Sequence, residues 1–212
     1  MRLIYGHGIN DADYPINWTE GGKSVRCPIY SRWKSMIHRT ADHDIYPFVS
    51  AEAYEFAEVD TPWVFFSTFS TWAKDRYKPG YHLDKDLLVE GNTLYSPDTC
   101  CFIPPRINSA FKPNSKVSPI GRGVRMKTSS AGNVYYEAYT ADFTTIKWKS
   151  LGCYKTIEDA HKTWQFSRID NLKLCIDYLR EINFQDERVF QAINGRINSV
   201  KENIKDGIQT TP

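Results

Sequence analysis

The chain has 212 residues, of which 41% are hydrophobic, 14% aromatic and 25% charged. This length and composition exclude a disordered chain and a large multidomain protein, and they predict one ordinary domain or two small ones. No apolar run approaches the roughly 18 residues that would cross a bilayer. The first residues also reach Gly6 and Asp11 too soon for the apolar core of a signal peptide. We therefore expect no membrane association and a cytoplasmic location.

Charge is distributed unevenly along the chain, although the net charge is only +2. Residues 40–60 contain six acidic residues and no Lys or Arg, whereas residues 112–155 contain eight basic and two acidic residues, or 8 − 2 = +6. A local basic field of this size is typical of a site that binds a polyanion. The alternative is a solvated basic surface without a ligand.

The five cysteines have no metal-like or disulfide-like spacing. Their odd number and the absence of a C-x-x-C pair favour neither a disulfide framework nor a four-cysteine zinc site. We expect reduced and mostly buried thiols. They are Cys27, Cys100, Cys101, Cys153 and Cys175.

The first third of the chain predicts two helices. Apolar residues at helical spacing predict a short amphipathic helix over residues 29–37, while the acidic stretch 46–54 permits no firm assignment. Thr61 and Pro62 are typical of a helix start, with Thr as the cap and Pro in the first turn. Aromatic residues follow at steps of three and four, and we interpret this stripe as core rather than as a base-stacking surface. They are Phe65, Phe66, Phe69 and Trp72.

Residues 83–108, LDKDLLVEGNTLYSPDTCCFIPPRIN, predict a hairpin followed by a helix. A charged strand leads to a turn at Gly91 and Asn92, and a second, apolar strand covers residues 100–103. The two prolines after this strand can open a helix that carries Asn108.

The second half begins with a predicted linker over residues 112–120, which are rich in Pro, Ser and Asn. A helix that starts with a capping box at Thr156 and Asp159 is predicted next, with Trp164 on its apolar face. A last helix is indicated by Val189, Ile193, Ile197, Val200 and Ile204. Between the linker and the first of these helices lie three β-rich runs, Gly121–Lys127, Val134–Ala141 and Thr145–Tyr154.

Three motifs in this order resemble the APETALA/ethylene-response-factor type of DNA-binding domain. They are GRGVR (121–125), Tyr136 with Ala138, and LGCYKTIEDAH (151–161) followed by Trp164. The resemblance implies a three-stranded antiparallel sheet that enters the major groove of DNA and one helix packed behind it. Strands in that groove can present alternate side chains to base edges.

Six basic or aromatic residues of this region are the predicted DNA contacts. Arg125 and Arg122 are the best candidates for guanine, and the lysines are better suited to phosphates, which position the protein without specifying a sequence. For each lysine the alternative is a role in solubility alone, and His161 is expected to be an ordinary exposed or capping residue. The six are Arg122, Arg125, Lys127, Lys147, Trp148 and Lys149.

The 83–108 segment resembles the HNH, or ββα-metal, nuclease hairpin in the divergent form of phage-encoded homing-type endonucleases. Asp84-Lys85 stands in place of the family's Asp-His pair, and Gly91-Asn92 stands in place of its turn. Phe102 replaces the aromatic residue, and Asn108 falls where the family has its metal-binding Asn.

The resemblance implies one Mg²⁺ or Mn²⁺ ion held by Asp84, Asp86 and Asn108, whose oxygen atoms are hard donors. The ion would neutralise phosphate charge during hydrolysis. Lys85 occupies the position of the catalytic His, and Thr99 that of the middle Asn. The base is therefore Lys85, His82 or neither, because a lysine is a poor base near neutral pH.

Together these patterns predict an α+β protein with a nuclease region over residues 1–111 and a linker over 112–120. A sheet-based DNA-binding domain over 121–180 and a C-terminal helix and tail over 181–212 follow. The expected function is metal-dependent cleavage or nicking of double-stranded DNA by a monomer. Two alternatives remain open: a catalytically silent DNA-binding protein, and an inhibitor that binds a host protein through residues 40–72.

Overall fold

The computed structural model describes residues 3–47, 51–111, 120–208 and 210. The fold is mixed α+β with small sheets, and the chain divides into two compact units, Met1–Pro105 and Arg106–Pro212. The division falls between Pro105 and Arg106, whereas the sequence predicted a nuclease region that extends to residue 111. The predicted linker lies outside the described residues, except for Ile120.

The described residues of the first unit form two α-helices and three two-stranded sheets, besides two short 3₁₀ turns. The elements in chain order are β1 (Asn17–Glu20), β2 (Lys23–Arg26), α1 (Pro28–Arg39), β3 (Glu58–Val59), α2 (Phe66–Lys74), β4 (His82–Asp84), β5 (Leu94–Tyr95) and β6 (Cys101–Ile103). Strands β1 and β2 form an antiparallel hairpin, β3 pairs with β5 in parallel, and β4 pairs with β6 antiparallel. The β1–β2 hairpin was not predicted, although the Gly21-Gly22 pair at its turn is a recognised hairpin signal.

Aromatic side chains fill the core of the first unit. Trp33 and Ile37 of α1 are completely buried, as are Phe66 and Phe69 of α2. Trp33 Nε1 also donates a hydrogen bond to the backbone oxygen of Trp63, 2.8 Å away. The predicted helix over 29–37 is confirmed, and the interpretation of the aromatic stripe as core is correct for Phe66 and Phe69 and for the partly buried Trp72.

The predicted helix start at Thr61 is only partly correct. Residues Thr61–Val64 form a 3₁₀ turn, Phe65 is extended, and α2 begins at Phe66. The N-terminal segment explains the break, because Ile9 N donates to Val64 O and Phe66 N donates to Ile9 O. These two bonds hold Phe65 in a strand-like bridge, and its side chain is 39% exposed rather than part of the core.

In the part of the second unit that the structure describes, there are one three-stranded sheet and three helices. They are α3 (Pro105–Phe111, which begins at the last residue of the first unit), β7 (Val124–Thr128), β8 (Val134–Ala141), β9 (Trp148–Tyr154), α4 (Ile157–Glu181) and α5 (Glu187–Asp206). The sheet is antiparallel in the order β7-β8-β9, with a register shift between Ala138 and Tyr139. Its strands match the three predicted β-rich runs, except that two of them begin three residues later.

Helix α4 packs against one face of the sheet and α5 packs against α4. Val124 and Ala138 of the sheet meet Ala160 of α4 in a small buried core. The predicted cap is confirmed, because the Thr156 side chain accepts a hydrogen bond from Asp159 N. Among the described residues, no helix is long and apolar enough to cross a membrane.

Candidate nucleic-acid interface and acidic strand end

The face of the sheet opposite α4, here called the outer face, carries a row of charged and aromatic side chains. Because Val124 and Ala138 point to the core, the alternation along a strand sends their neighbours to the other side. Arg125 lies opposite Glu137 in the register, and Lys127 lies opposite Tyr135. The outer-face residues that matter below are Arg125, Lys127, Glu137, Tyr139 and Trp148.

Glu137 is the buried centre of this face. Its Oε2 atom accepts hydrogen bonds from Arg125 Nε at 2.6 Å and from Lys127 Nζ at 2.9 Å. The Glu137 side chain is only 7% exposed, whereas those of Arg125 and Lys127 are 51% and 41% exposed. The hydrogen bonds from Arg125, Ser150 and Lys127 lower the pKa of Glu137 to about 2. The carboxylate therefore stays charged and holds both cations in position.

An aromatic ladder continues from Arg125 across the sheet. The Arg125 guanidinium lies 4.8 Å from the ring centre of Tyr139, and Tyr139 lies 5.4 Å from Trp148. Trp148 is itself 59% exposed. A guanidinium fixed by a carboxylate on one side and an aromatic ring on another is preorganised, so it loses little freedom when it binds a partner.

Two other predicted contacts, Lys147 and Lys149, lie at the edge of the sheet. Lys149 Nζ lies 2.7 Å from Asp142 Oδ2, and this bond lowers the pKa of Asp142 to about 2. Lys147 was predicted to be a strand residue, but β9 begins only at Trp148. Its backbone oxygen instead accepts a hydrogen bond from Asp142 N and so closes a turn. Ile146, within this turn, has a positive φ of 58°.

Arg122 also lies outside the strands, contrary to prediction, because β7 begins at Val124. The intervening Gly123 has a φ of 72° and lies against the Trp164 ring, so the chain turns before the strand starts. The Arg122 backbone oxygen accepts a hydrogen bond from His161 Nδ1 at 3.0 Å. Arg122 and Trp164 both line a cavity beside the sheet.

His161 was expected to be exposed, and it is instead 2% exposed. Its Nδ1 donates to Arg122 O, and its Nε2 accepts from Thr210 N at 3.0 Å. Burial lowers the pKa of His161, which fits a neutral ring with one donor and one acceptor. Sequence reasoning missed this role because both partners are about 40 or more residues away along the chain.

In the first unit, Asp84 ends β4 and caps the turn that follows. Its Oδ1 atom accepts from Asp86 N at 3.0 Å and from Leu87 N at 2.7 Å. Burial raises the pKa of the Asp84 carboxyl. Leu83 packs into the core, so His82 and Asp84 project from the opposite side of the strand, as predicted from the alternation.

Lys85 holds the loop between β4 and β5. It is 8% exposed, and its Nζ donates to Asp86 Oδ1 and to the backbone oxygen of Asn92, each at 2.6 Å. Asn92 Nδ2 returns two bonds, to the backbone oxygens of Lys85 and Leu94. Both contacts engage Nζ as a donor within its own loop, so this geometry favours a structural role for Lys85 over that of a base.

The predicted metal ligands are divided between the two units. Asp84 and Asp86 belong to the first unit, and Asn108 lies on α3 in the second. Within the described residues, no group of three or more His, Cys, Asp or Glu side chains could hold a metal ion. Two neighbouring carboxylates still fit a hydrated Mg²⁺, which is commonly held by one or two carboxylates and several waters.

One half-buried residue that interacts electrostatically with Asp84 was not identified from the sequence. Arg39, at the end of α1, interacts electrostatically with Asp84, donates through Nη1 to Tyr95 Oη at 3.3 Å and lies over the Tyr54 ring. Its Nε atom is buried and has no hydrogen-bond partner among the described residues. Only the fold brings this helix end next to β4.

Comparison of the chain with family models, with curated proteins and with solved structures finds no match.

Proposed function

We propose that the second unit binds double-stranded DNA through the outer face of its sheet. The observation that carries this proposal is the array of exposed Arg125, half-buried Tyr139 and exposed Trp148, with Lys127 beside it, on a sheet backed by a helix. The major groove is about 12 Å wide and admits a β-ribbon. A β-sheet that presents an oriented guanidinium is therefore suited to read base edges.

The residues of the face take different roles in this proposal. Arg125 supplies a planar pair of donors that matches the two acceptors of guanine. Lys127, Lys147 and Lys149 contact phosphates, and Trp148 contributes apolar contact. Glu137 orients Arg125. Its negative charge also leaves a net charge of +1 on the group formed by Arg125, Lys127 and Glu137, which weakens nonspecific binding to DNA.

Binding of the full chain to a fluorescent duplex at several salt concentrations tests the role of the cations. Lys127→Gln should lower the slope of log affinity against log salt by about 0.9, the value for one lost phosphate contact. Lys173→Gln, which removes the same charge from an exposed position on α4, should leave the slope unchanged. Equal slopes for the parent and Lys127→Gln would move the contacts away from this face.

Base reading is tested separately by Arg125→Lys, which keeps the charge and loses the planar fork. We expect this variant to retain its affinity for random DNA and to lose discrimination at one base pair, at a cost of about 1–3 kcal/mol. Selection of preferred sequences from a random pool, with parent and variant, measures the change. An unaltered preference would mean that Arg125 contacts only phosphate.

Metal-dependent cleavage of the bound DNA is the second function we propose, and it rests on the acidic strand end of the first unit. Asp84 ends β4 and Asp86 lies two residues later, and their carboxylates could provide oxygen ligands for Mg²⁺ or Mn²⁺. Such an ion would offset the charge on phosphate as the bond breaks. His82 projects from the same side of β4 as Asp84 and could accept a proton, whereas Lys85 is committed to Asp86 and Asn92.

Plasmid cleavage with Mg²⁺ or Mn²⁺ tests this second proposal. Asp84→Asn keeps an oxygen that can accept from Asp86 N and Leu87 N, so it removes the charge with little change to the turn. We expect it to abolish cleavage and to leave DNA affinity intact, whereas Asp75→Asn, an exposed position after α2, should cleave at the parent rate. Cleavage by Asp84→Asn at the parent rate would exclude Asp84 as a metal ligand, and an inactive parent would leave the protein as a DNA binder.

A further inference from the structure

The second unit contains an open cavity of about 270 Å³ beside the sheet. Its walls come from α3, from the residues before β7, from the turn after β8 and from α4. Three arginines contribute to the lining, Arg106, Arg122 and Arg168, together with Trp148 and Trp164. The volume lies near the lower end of the range for small-molecule sites, roughly 300–1,000 Å³.

The cavity has an excess of positive charge. Among the described lining residues, the three guanidinium groups are accompanied by a single carboxylate, that of Asp142. This carboxylate is bound by Lys149 Nζ at 2.7 Å, so its charge is already compensated. Like charges in a partly enclosed space repel one another more strongly than in water. An anion in the cavity would relieve this repulsion.

Carbonyl oxygens and an aromatic ring hold Arg106 in a fixed orientation, and a carbonyl oxygen also accepts from Arg168. Arg106 donates to the backbone oxygens of Phe143 and Thr144, and its guanidinium lies 4.7 Å from the ring centre of Phe143. Arg168 Nη1 donates to the backbone oxygen of Ala110 at 3.2 Å. Carbonyl oxygens and rings orient a guanidinium without cancelling its charge, so the cationic lining is preorganised for an anion.

An exposed aromatic surface lies at the edge of the cavity. Trp148 lines the cavity and, with Arg125 and Tyr139, also lines a shallow pocket on the outer face of the sheet. Its side chain is 59% exposed, which leaves ring surface for stacking. Nucleic-acid bases stack on such rings irrespective of their sequence.

The geometry points to a nucleotide site, in which the three guanidinium groups bind the phosphate and Trp148 stacks on the base. A guanidinium can pair with phosphate through two parallel hydrogen bonds, which favours arginine over lysine for this purpose. Arg106, whose Nε and Nη2 donate to carbonyl oxygens, would contribute through Nη1 and its charge. Inorganic phosphate would use the charge but not the exposed indole, so a nucleoside monophosphate is the smallest ligand that uses both. The ligand is either a free nucleotide or one nucleotide of bound DNA. This site is additional to the contacts proposed for the outer face.

Calorimetric titration of the full chain with deoxyguanosine monophosphate tests the site, with inorganic phosphate and deoxyguanosine as comparison ligands. Arg122→Gln removes one cation, and the bond from His161 survives because it uses the backbone oxygen of residue 122. Ser109→Tyr, at an exposed position of α3 that lines the cavity, fills the space without changing charge. Arg180→Gln is the matched control, since this side chain is 71% exposed at the end of α4.

We expect the monophosphate to bind the parent more tightly than either comparison ligand. Arg122→Gln should weaken its binding roughly tenfold, the effect of losing a hydrogen bond to a charged group. Ser109→Tyr should also weaken it, and Arg180→Gln should not. Parent-like binding by both Arg122→Gln and Ser109→Tyr would overturn the proposal, as would a monophosphate that binds no better than inorganic phosphate or does not bind.

A short duplex added to the same titration identifies the source of the nucleotide. Displacement of the monophosphate assigns the cavity to a nucleotide of the bound DNA, and simultaneous binding assigns it to a free nucleotide. The first titration contains no DNA. It therefore tests the nucleotide site even if the proposed DNA binding proves wrong.

Discussion

At the scale of single residues, Glu137 decides how the outer face behaves. An acidic residue between two cations normally weakens a DNA-binding surface, because it repels phosphate. Here the carboxylate is buried and accepts from both Arg125 and Lys127, so it also determines the direction in which Arg125 presents its donors. In the proposed DNA interface, Glu137 would lower the affinity for phosphate and fix the orientation of Arg125.

The low pKa of Glu137 makes the stability of the second unit dependent on pH. The pKa falls from an ordinary value of 4.5 to about 2 on folding, so the unfolded state binds the proton first as the pH decreases. The stabilisation is complete above pH 4.5 and is lost as the pH falls towards about 2. We expect Glu137→Gln to flatten this part of the stability curve, as measured by urea unfolding between pH 5 and pH 2.5.

A matched variant removes a carboxylate elsewhere in the same unit. Glu158→Gln changes an exposed residue in the first turn of α4, outside the sheet. The stability of this variant should decrease with falling pH as steeply as that of the parent. If Glu137→Gln and the parent lost stability in parallel, the pairing with Arg125 and Lys127 would not contribute to folding.

At the scale of elements, the contact between Gly123 and Trp164 joins the start of β7 to α4. Gly123 has a φ of 72°, and a Cβ atom at this position would lie 2.0 Å from the Trp164 ring. The glycine of the GVR motif is therefore required twice, once by the backbone conformation and once by the close approach of the indole. This contact also sets where Arg125, two residues later, enters the outer face.

Gly123→Ala should lower the free energy of unfolding by at least about 2 kcal/mol, because the strain of a left-handed residue adds to the cost of overpacking. Gly132→Ala is the matched control: its φ is 83°, but no atom lies within 4 Å of the added Cβ. The control should show the backbone cost alone, about 1 kcal/mol. Equal losses in the two variants, measured by urea unfolding, would mean that Trp164 moves aside without cost.

In the loop between β4 and β5, the contacts of one residue differ from those that its place in a sequence motif suggested. Lys85 occupies the position of a catalytic histidine in the resembling family, but its ammonium binds Asp86 and the backbone of Asn92. If a Lys85 variant lost cleavage activity, the cause could be either a disturbed loop or a missing catalytic base. His82 is the better variant for testing proton transfer.

At the scale of the whole molecule, the second unit extends beyond the predicted DNA-binding domain of residues 121–180. Helix α5 packs on α4 and buries Val189, Ile193, Ile197 and Val200. Full burial of each such side chain contributes about 1.5–3 kcal/mol. Together they are comparable to the net stability of an ordinary domain, about 5–15 kcal/mol.

A chain that ends at Gln185 should therefore lose the cooperative fold of its second unit. Amide hydrogen exchange of β7, β8 and β9 measures this directly, and we expect protection to fall to that of a loosely packed state. A chain that ends at Gly207 keeps α5 and loses only the tail that contacts His161, so it should retain most of its protection. Full protection in the shorter chain would show that the sheet and α4 fold without α5.

Local patterns in the sequence predicted much of the secondary structure. Helical spacing predicted α1, α4 and α5, β-rich composition predicted the three strands of the second unit, and the cap at Thr156 was identified from its partner Asp159. Each of these signals lies within a few residues of chain, and the propensities and capping bonds that produce it are equally local. The start of α2 was less well predicted, because the distant Ile9 competes for the backbone of Val64 and Phe66.

The sequence by itself therefore determined the fold class, the main helices and strands, and which region carries the basic residues. The tertiary structure alone decided how those residues are used: Arg125 is fixed by Glu137, Arg122 lines a cavity, His161 is buried, and Lys85 is bound within its own loop. Residue type and periodicity are properties of neighbouring positions. The partner of a charged group, by contrast, comes from whichever segment the folded chain brings within hydrogen-bonding distance, and no local pattern records that distance.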